Sequence, residues 1–136
     1  MKKLSAIPVI LALVLVLAGC GSQAAPVNQS KVLAYANPIT DNLLAGFNSG
    51  DYVKFTRDFD AVMRSAVKES TIQELRAKLG QYQSRQLVTI QQTGPANDPV
   101  MVVLYKAVFS KDNNVIITIS FQKMGNKEQV AGLYFK

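Results

Sequence analysis

The apolar residues of this chain change their spacing once, at Gly80, and that change constrains the fold more than any other feature. Before Gly80 they recur every three to four residues, as on a helix that buries one face. After it they alternate, as on a strand. Asn37-Pro38 reads as a helix start, with Asn as the cap and Pro at the first helical position, where no amide partner is needed. Ile39, Leu43 and Phe47 then recur at i, i+4 and i+8 with Leu44 beside them, Asp41 suits the early helix dipole, and Asn48-Ser49-Gly50 ends the helix. Asp51 caps a second stretch with Tyr52, Phe55, Phe59, Val62, Met63 and Ala66 on one face. It is one helix, or two if the pattern breaks near Asp58-Phe59-Asp60. Ser70-Thr71-Ile72-Gln73 resembles a capping box, Ile72, Leu75 and Leu79 form a buried stripe, and Gly80 is the stop.

Four strands are expected beyond it. Residues 83–93 carry Leu87, Val88 and Ile90 among polar neighbours, and 94–99 is a loop by composition. Residues 100–110 are almost wholly apolar on both faces, with Lys106 interrupting one row, which reads as a central strand covered on both sides. Lys111-Asp112-Asn113-Asn114 is a hairpin turn; 115–122 and 130–135 complete the set around a turn at 124–128. Helices followed by a four-stranded antiparallel meander make an α+β domain, with the helices packed on a curved sheet.

The first 36 residues read differently. Lys2 and Lys3 form a positive start, and Ala6 to Ala18 is an apolar run broken only by Pro8. Such a run spans about 20 Å as a helix, short of the roughly 30 Å hydrocarbon core, so it reads as a secretion signal and not as a membrane span. It ends in Leu17-Ala18-Gly19-Cys20, which resembles the lipobox of prokaryotic lipoproteins. That resemblance implies cleavage after residue 19, a diacylglyceryl thioether on Cys20, and a protein held on the cell membrane or outer membrane facing away from the cytoplasm. Each buried methylene adds about 0.8 kcal/mol, so two or more acyl chains anchor stably. Gly21, not Asp, follows the cysteine, which resembles the default that sends such proteins to the outer membrane of two-membrane bacteria. The expected organisation is a signal peptide at 1–19, lipidated Cys20 and a flexible tether at 20–36, and the folded domain at 37–136. Within the tether, 31–36 is either a helical lead-in or an ordered strap.

Composition narrows the chemistry. There is one Cys and no His among the 136 residues. An internal disulfide, a Cys/His zinc site and nucleophile–His systems are therefore excluded, and neither metal nor cofactor is expected. Without Lys2 and Lys3 the 15 basic residues fall to 13 against 9 acidic, a thin positive charge with no dense run, which argues against nucleic acid.

The order of elements resembles the nuclear-transport-factor-like, or cystatin-roll, superfamily. Asn48-Ser49-Gly50-Asp51-Tyr52 with Phe55, Asp58-Phe59-Asp60 with Met63, residues 79–85, and the closing Val130-Ala131-Gly132-Leu133-Tyr134-Phe135 are similar to a small secreted prokaryotic family, catalogued as domain of unknown function 3887. The resemblance covers 38–136 and supplies no catalytic residues. In that family the domain often precedes an α/β-hydrolase; here the chain stops after the last strand, so no catalytic partner is expected.

Tyr52, Phe55, Phe59, Tyr105 and Lys106 are the candidate ligand or partner surface; the alternative for the three helical aromatics is packing onto the sheet. Lys54, Arg57, Arg64 and Lys68 either meet anionic headgroups or form a solvated face. The expected function is a non-catalytic envelope module that binds a small apolar ligand, a peptide or an envelope protein, with a homodimer through the sheet as a further arrangement. The alternative is a small isomerase- or dehydratase-like enzyme using a carboxylate or Tyr inside the cone.

Overall fold

The computed structural model describes residues 26–136. The expected signal peptide, Cys20 and the first part of the expected tether lie outside the described residues. Four helices come first: α1 (Gln29–Ser49), α2 (Tyr52–Thr56), α3 (Ala61–Ala66) and α4 (Glu69–Leu79). Four strands follow, β1 (Tyr82–Thr93), β2 (Val100–Phe109), β3 (Val115–Met124) and β4 (Lys127–Phe135), paired antiparallel in one curved sheet in chain order. The fold is α+β, and among the described residues no helix is long and apolar enough to cross a membrane.

Helix α1 is capped at Asn28, nine residues before the expected cap at Asn37. Asn28 caps it by accepting from the Lys31 amide at 3.1 Å, and residues 31–36 are continuous with it. Pro38 therefore lies inside the helix, where it leaves the Ala34 carbonyl without its usual amide. Burial outweighs that loss. Val32 and Ala36 sit in the core, and the Tyr35 ring meets Phe121 edge-on at 5.6 Å. The helix stops at Gly50, whose φ of 70° is a left-handed conformation that few other residues adopt without strain.

The stretch 51–68 is two helices. Between them the chain pairs with β4: the Asp60 amide donates to Val130 O at 2.9 Å, and the Val130 amide donates to Asp58 O at 2.8 Å. This short parallel bridge breaks the helix and drives Phe59 into the core. Helix α4 also starts earlier than expected. Lys68 occupies the cap position without a side-chain bond, Ser70 lies within the first turn, and Gln73 accepts from Arg76 Nη1 at 3.1 Å instead of closing a capping box. Glu69 supplies negative charge in the first turn, which favours the earlier start.

The sheet buries one face against the helices. Val103, Tyr105, Ala107 and Phe109 on β2 and Val115, Ile117, Ile119 and Phe121 on β3 form its inner surface. Phe47 of α1 stands over it, 5.5 Å from Phe109 edge-on and 6.1 Å from Phe135 in a stacked arrangement. The register slips between Leu87 and Thr89 on β1 and between Ser120 and Phe121 on β3, and such irregularities bend a sheet. The expectation that β2 is covered on both sides is corrected here: its other row, Val100, Val102, Leu104, Lys106 and Val108, is only partly buried or exposed. An apolar run on both faces needs a cover on both, and the described chain supplies one.

Candidate functional site

Three residues one helical turn apart on α1, Leu33, Asn37 and Asp41, face the first half of β1 and Tyr105 of β2 across an open cleft of about 500 Å³. The strand side is set by register. Leu87 pairs with Tyr105 and Arg85 pairs with Ala107, so Arg85, Leu87 and Tyr105 all point to the inner face.

Arg85 is the centre of the polar side. Its Nη1 lies 2.7 Å from Asp41 Oδ1 and donates to the Tyr82 hydroxyl at 3.2 Å. Its Nη2 donates to Asn37 O at 3.5 Å. The guanidinium carbon lies 5.0 Å from the centre of the Tyr105 ring, a cation–π contact. The Tyr105 hydroxyl donates to Asn37 Oδ1 at 3.1 Å, so Asn37 serves both groups, through its carbonyl and its side chain. Burial opposes the charged guanidinium, but hydrogen bonds to Tyr82 and Asp41 outweigh it and raise the Arg85 pKa above its ordinary value. Burial also raises the Tyr105 pKa, against the opposing pull of the nearby Thr40 hydroxyl and of Arg85. Thr40 Oγ1, although close to Tyr105 and fully buried, makes no hydrogen bond of acceptable geometry.

The exposures of the ion pair are unequal. The Arg85 side chain is 13 % exposed and that of Asp41 is 65 %. A fixed cation thus sits at the base of the cleft and its counterion at the mouth. The arrangement can hold a negative group. It is poorly suited to proton transfer near neutrality, because the Tyr105 hydroxyl is held protonated and the carboxylate is already paired.

The five sequence candidates do not meet in one place. Tyr105 lines the cleft. Lys106, next to it on the strand, points to the opposite face and is exposed. Phe55 and Phe59 are 2 % and 0 % exposed and pack edge-on at 5.5 Å in the core. The Tyr52 hydroxyl donates to Val67 O at 2.8 Å and ties α2 to the end of α3. Sequence reasoning missed Arg85, Asp41 and Asn37 as a cluster. The available signal was a lone Arg at a position of β1 that alternates with Leu87, and therefore faces inward.

A second cleft, of about 680 Å³, opens where the chain enters the domain, between the start of α1, the 94–99 loop and the β3–β4 turn. Tyr35 lies on its wall, with its pKa pushed up to about 12 by burial and by the negative charge of Glu128. Among the described residues no group of three His, Cys, Asp or Glu side chains is placed to hold a metal ion. No protein-family model and no curated protein matches the chain.

Proposed function

We propose that this protein is a lipid-anchored module of the cell envelope that binds a small molecule without transforming it. The signal-like leader and the lipobox-like Leu17-Ala18-Gly19-Cys20 support the location. Helices leading into a bent four-stranded meander support a nuclear-transport-factor-like roll, whose cone is the space between α1 and the inner face of the sheet. The cleft between α1 and β1 is the ligand site of this reading.

The observation that carries it is the state of the Arg85 side chain. A guanidinium that is 13 % exposed, stacked on Tyr105 and open to a cleft of about 500 Å³ fits recognition. The enzyme alternative would place its base or acid on Asp41 or Tyr105, and both are engaged in ways that suit holding more than proton transfer. Purification of the full chain from membranes, with mass spectrometry of what travels with it, tests the reading. A small molecule released on denaturation, and lost with Arg85→Gln, is expected. A Cys20→Ser protein that still partitions with membranes would remove the anchor.

A second arrangement rests on a separate observation. Among the described residues nothing covers the outer face of the sheet, where Val100, Val102, Leu104 and Val108 are partly exposed, and an assembly role through a second copy follows from it.

A further inference from the structure

We propose that Asp41 occupies the place of a ligand's carboxylate, and that the cleft selects small monocarboxylates with an apolar or aromatic body. This inference rests on the binding reading above and specifies what is bound.

Arg85 does not depend on Asp41 for its position. The Tyr105 ring, the Tyr82 hydroxyl and the Asn37 carbonyl hold the guanidinium from three other sides. Asp41 adds a single close contact through Oδ1, at the exposed end of the site. An Arg fork has two parallel donors and matches a carboxylate best with both oxygens engaged. The pair is therefore geometrically incomplete, and its carboxylate half lies largely in solvent, which weakens the attraction. A free carboxylate can replace Asp41 by approaching the same guanidinium along the cleft.

The remaining walls define the rest of the ligand. Leu33 and Leu87 offer aliphatic surface on opposite sides, and the Tyr82 ring adds a flat one. An inorganic anion would leave these walls against water, whereas a carboxylate joined to a short chain or ring would cover them. Among the described residues one guanidinium faces the cleft, so one negative group is matched. A second would meet the displaced Asp41, which stays at the mouth.

The test is calorimetric titration of the full-length protein with 4-phenylbutyrate, its neutral match 4-phenylbutyramide, and inorganic phosphate. The carboxylate should bind at least about tenfold more tightly than the amide, since it alone completes the charge-assisted pair. Asp41→Asn removes the internal competitor and should tighten 4-phenylbutyrate about three- to fivefold, the order of an ion pair with one solvent-exposed partner, without changing the amide. Arg85→Lys keeps the charge but loses the fork, and should weaken the carboxylate while the circular dichroism stays native. Equal binding of carboxylate and amide, phosphate binding as well as 4-phenylbutyrate, or no gain in Asp41→Asn would each overturn the inference and leave the binding module standing. Failure of all three probes in every variant would remove both.

Discussion

Asn48 uses its side chain as a strand neighbour uses its backbone. Its Nδ2 donates to Tyr82 O at 2.9 Å, and its Oδ1 accepts from the Tyr82 amide at 2.7 Å. The end of α1 is thereby clamped to the start of β1, 34 residues later in the chain. In the sequence Asn48 is visible only as part of a helix terminus, because a partner that distant leaves no local trace. Asn48→Asp keeps the size but replaces the donor with a second acceptor opposite the Tyr82 carbonyl. The expected loss is about 2–3 kcal/mol in urea unfolding, with Asn48→Ala closer to 2, because an unmatched partly buried acceptor costs more than a missing bond. Tyr35 gives a second residue-level prediction. Its pKa is raised to about 12 from an ordinary value of 10, so below pH 10 it is protonated in both the folded and the unfolded chain and has no pH effect. Between about 10 and 12 the unfolded chain loses the proton first, and stability must fall as pH rises through that window. Tyr105, raised in the same direction, adds to the fall. Urea midpoints measured from pH 9 to 12 should show the decline, and Tyr35→Phe should flatten it.

Elements were legible where a local pattern and a tertiary contact agreed. The stripe Leu43, Phe47 on α1 and the alternation of β3 are buried as their spacing demands. Element ends were legible only where a cap was also the best local choice. Asp51 caps α2 by accepting from the Lys54 amide at 3.0 Å, and Gly50 and Gly80 end their helices. Asn37-Pro38 has the same local merit, yet lies inside α1, because Val32 and Ala36 gain more by packing than Pro38 loses. The split of 51–68 could not be decided locally, because its cause is the bridge to Val130 on the last strand. Asp60 belongs to both sides of that split. Its amide joins the bridge, and its carboxylate caps α3 by accepting from the Met63 amide at 2.7 Å. Helix α3 has six residues, none of them buried, so it has little packing to hold it once the cap is gone. Asp60→Ala should cost about 1–2 kcal/mol. The loss should be local: hydrogen exchange should quicken across 61–67 and remain slow in the amides of β2 and β3.

At the scale of the whole molecule the open question is the outer face of the sheet. Cross-strand neighbours give its rows: Thr89, Leu104, Thr118 and Tyr134; Gln91, Val102, Ser120 and Gly132; Thr93, Val100, Gln122 and Gln129. None of these twelve residues is charged, although the next row, Gln86, Lys106 and Ile116, brings an exposed lysine to the same face, and Tyr134 is 74 % exposed. The sequence pattern of β2 demanded two covers; the missing one was illegible because nothing local says whether a cover comes from the same chain. The twelve uncharged residues suit a second copy of themselves, since a twofold contact centred on them brings no like charges together. Its size sets the strength. Four strands spaced about 4.8 Å, over some eight residues at about 3.3 Å, give roughly 500 Å² on each partner. That is below the roughly 800 Å² of a standard stable interface. The dimer should therefore be reversible: light scattering should give a single-chain mass in the low micromolar range and approach twice that mass near millimolar concentration. Leu104→Lys, on a partly exposed position of the monomer, should keep the fold and the affinity of the Arg85 cleft while it holds the protein monomeric at all concentrations. A wild-type protein that stays monomeric up to millimolar concentration would overturn the dimer.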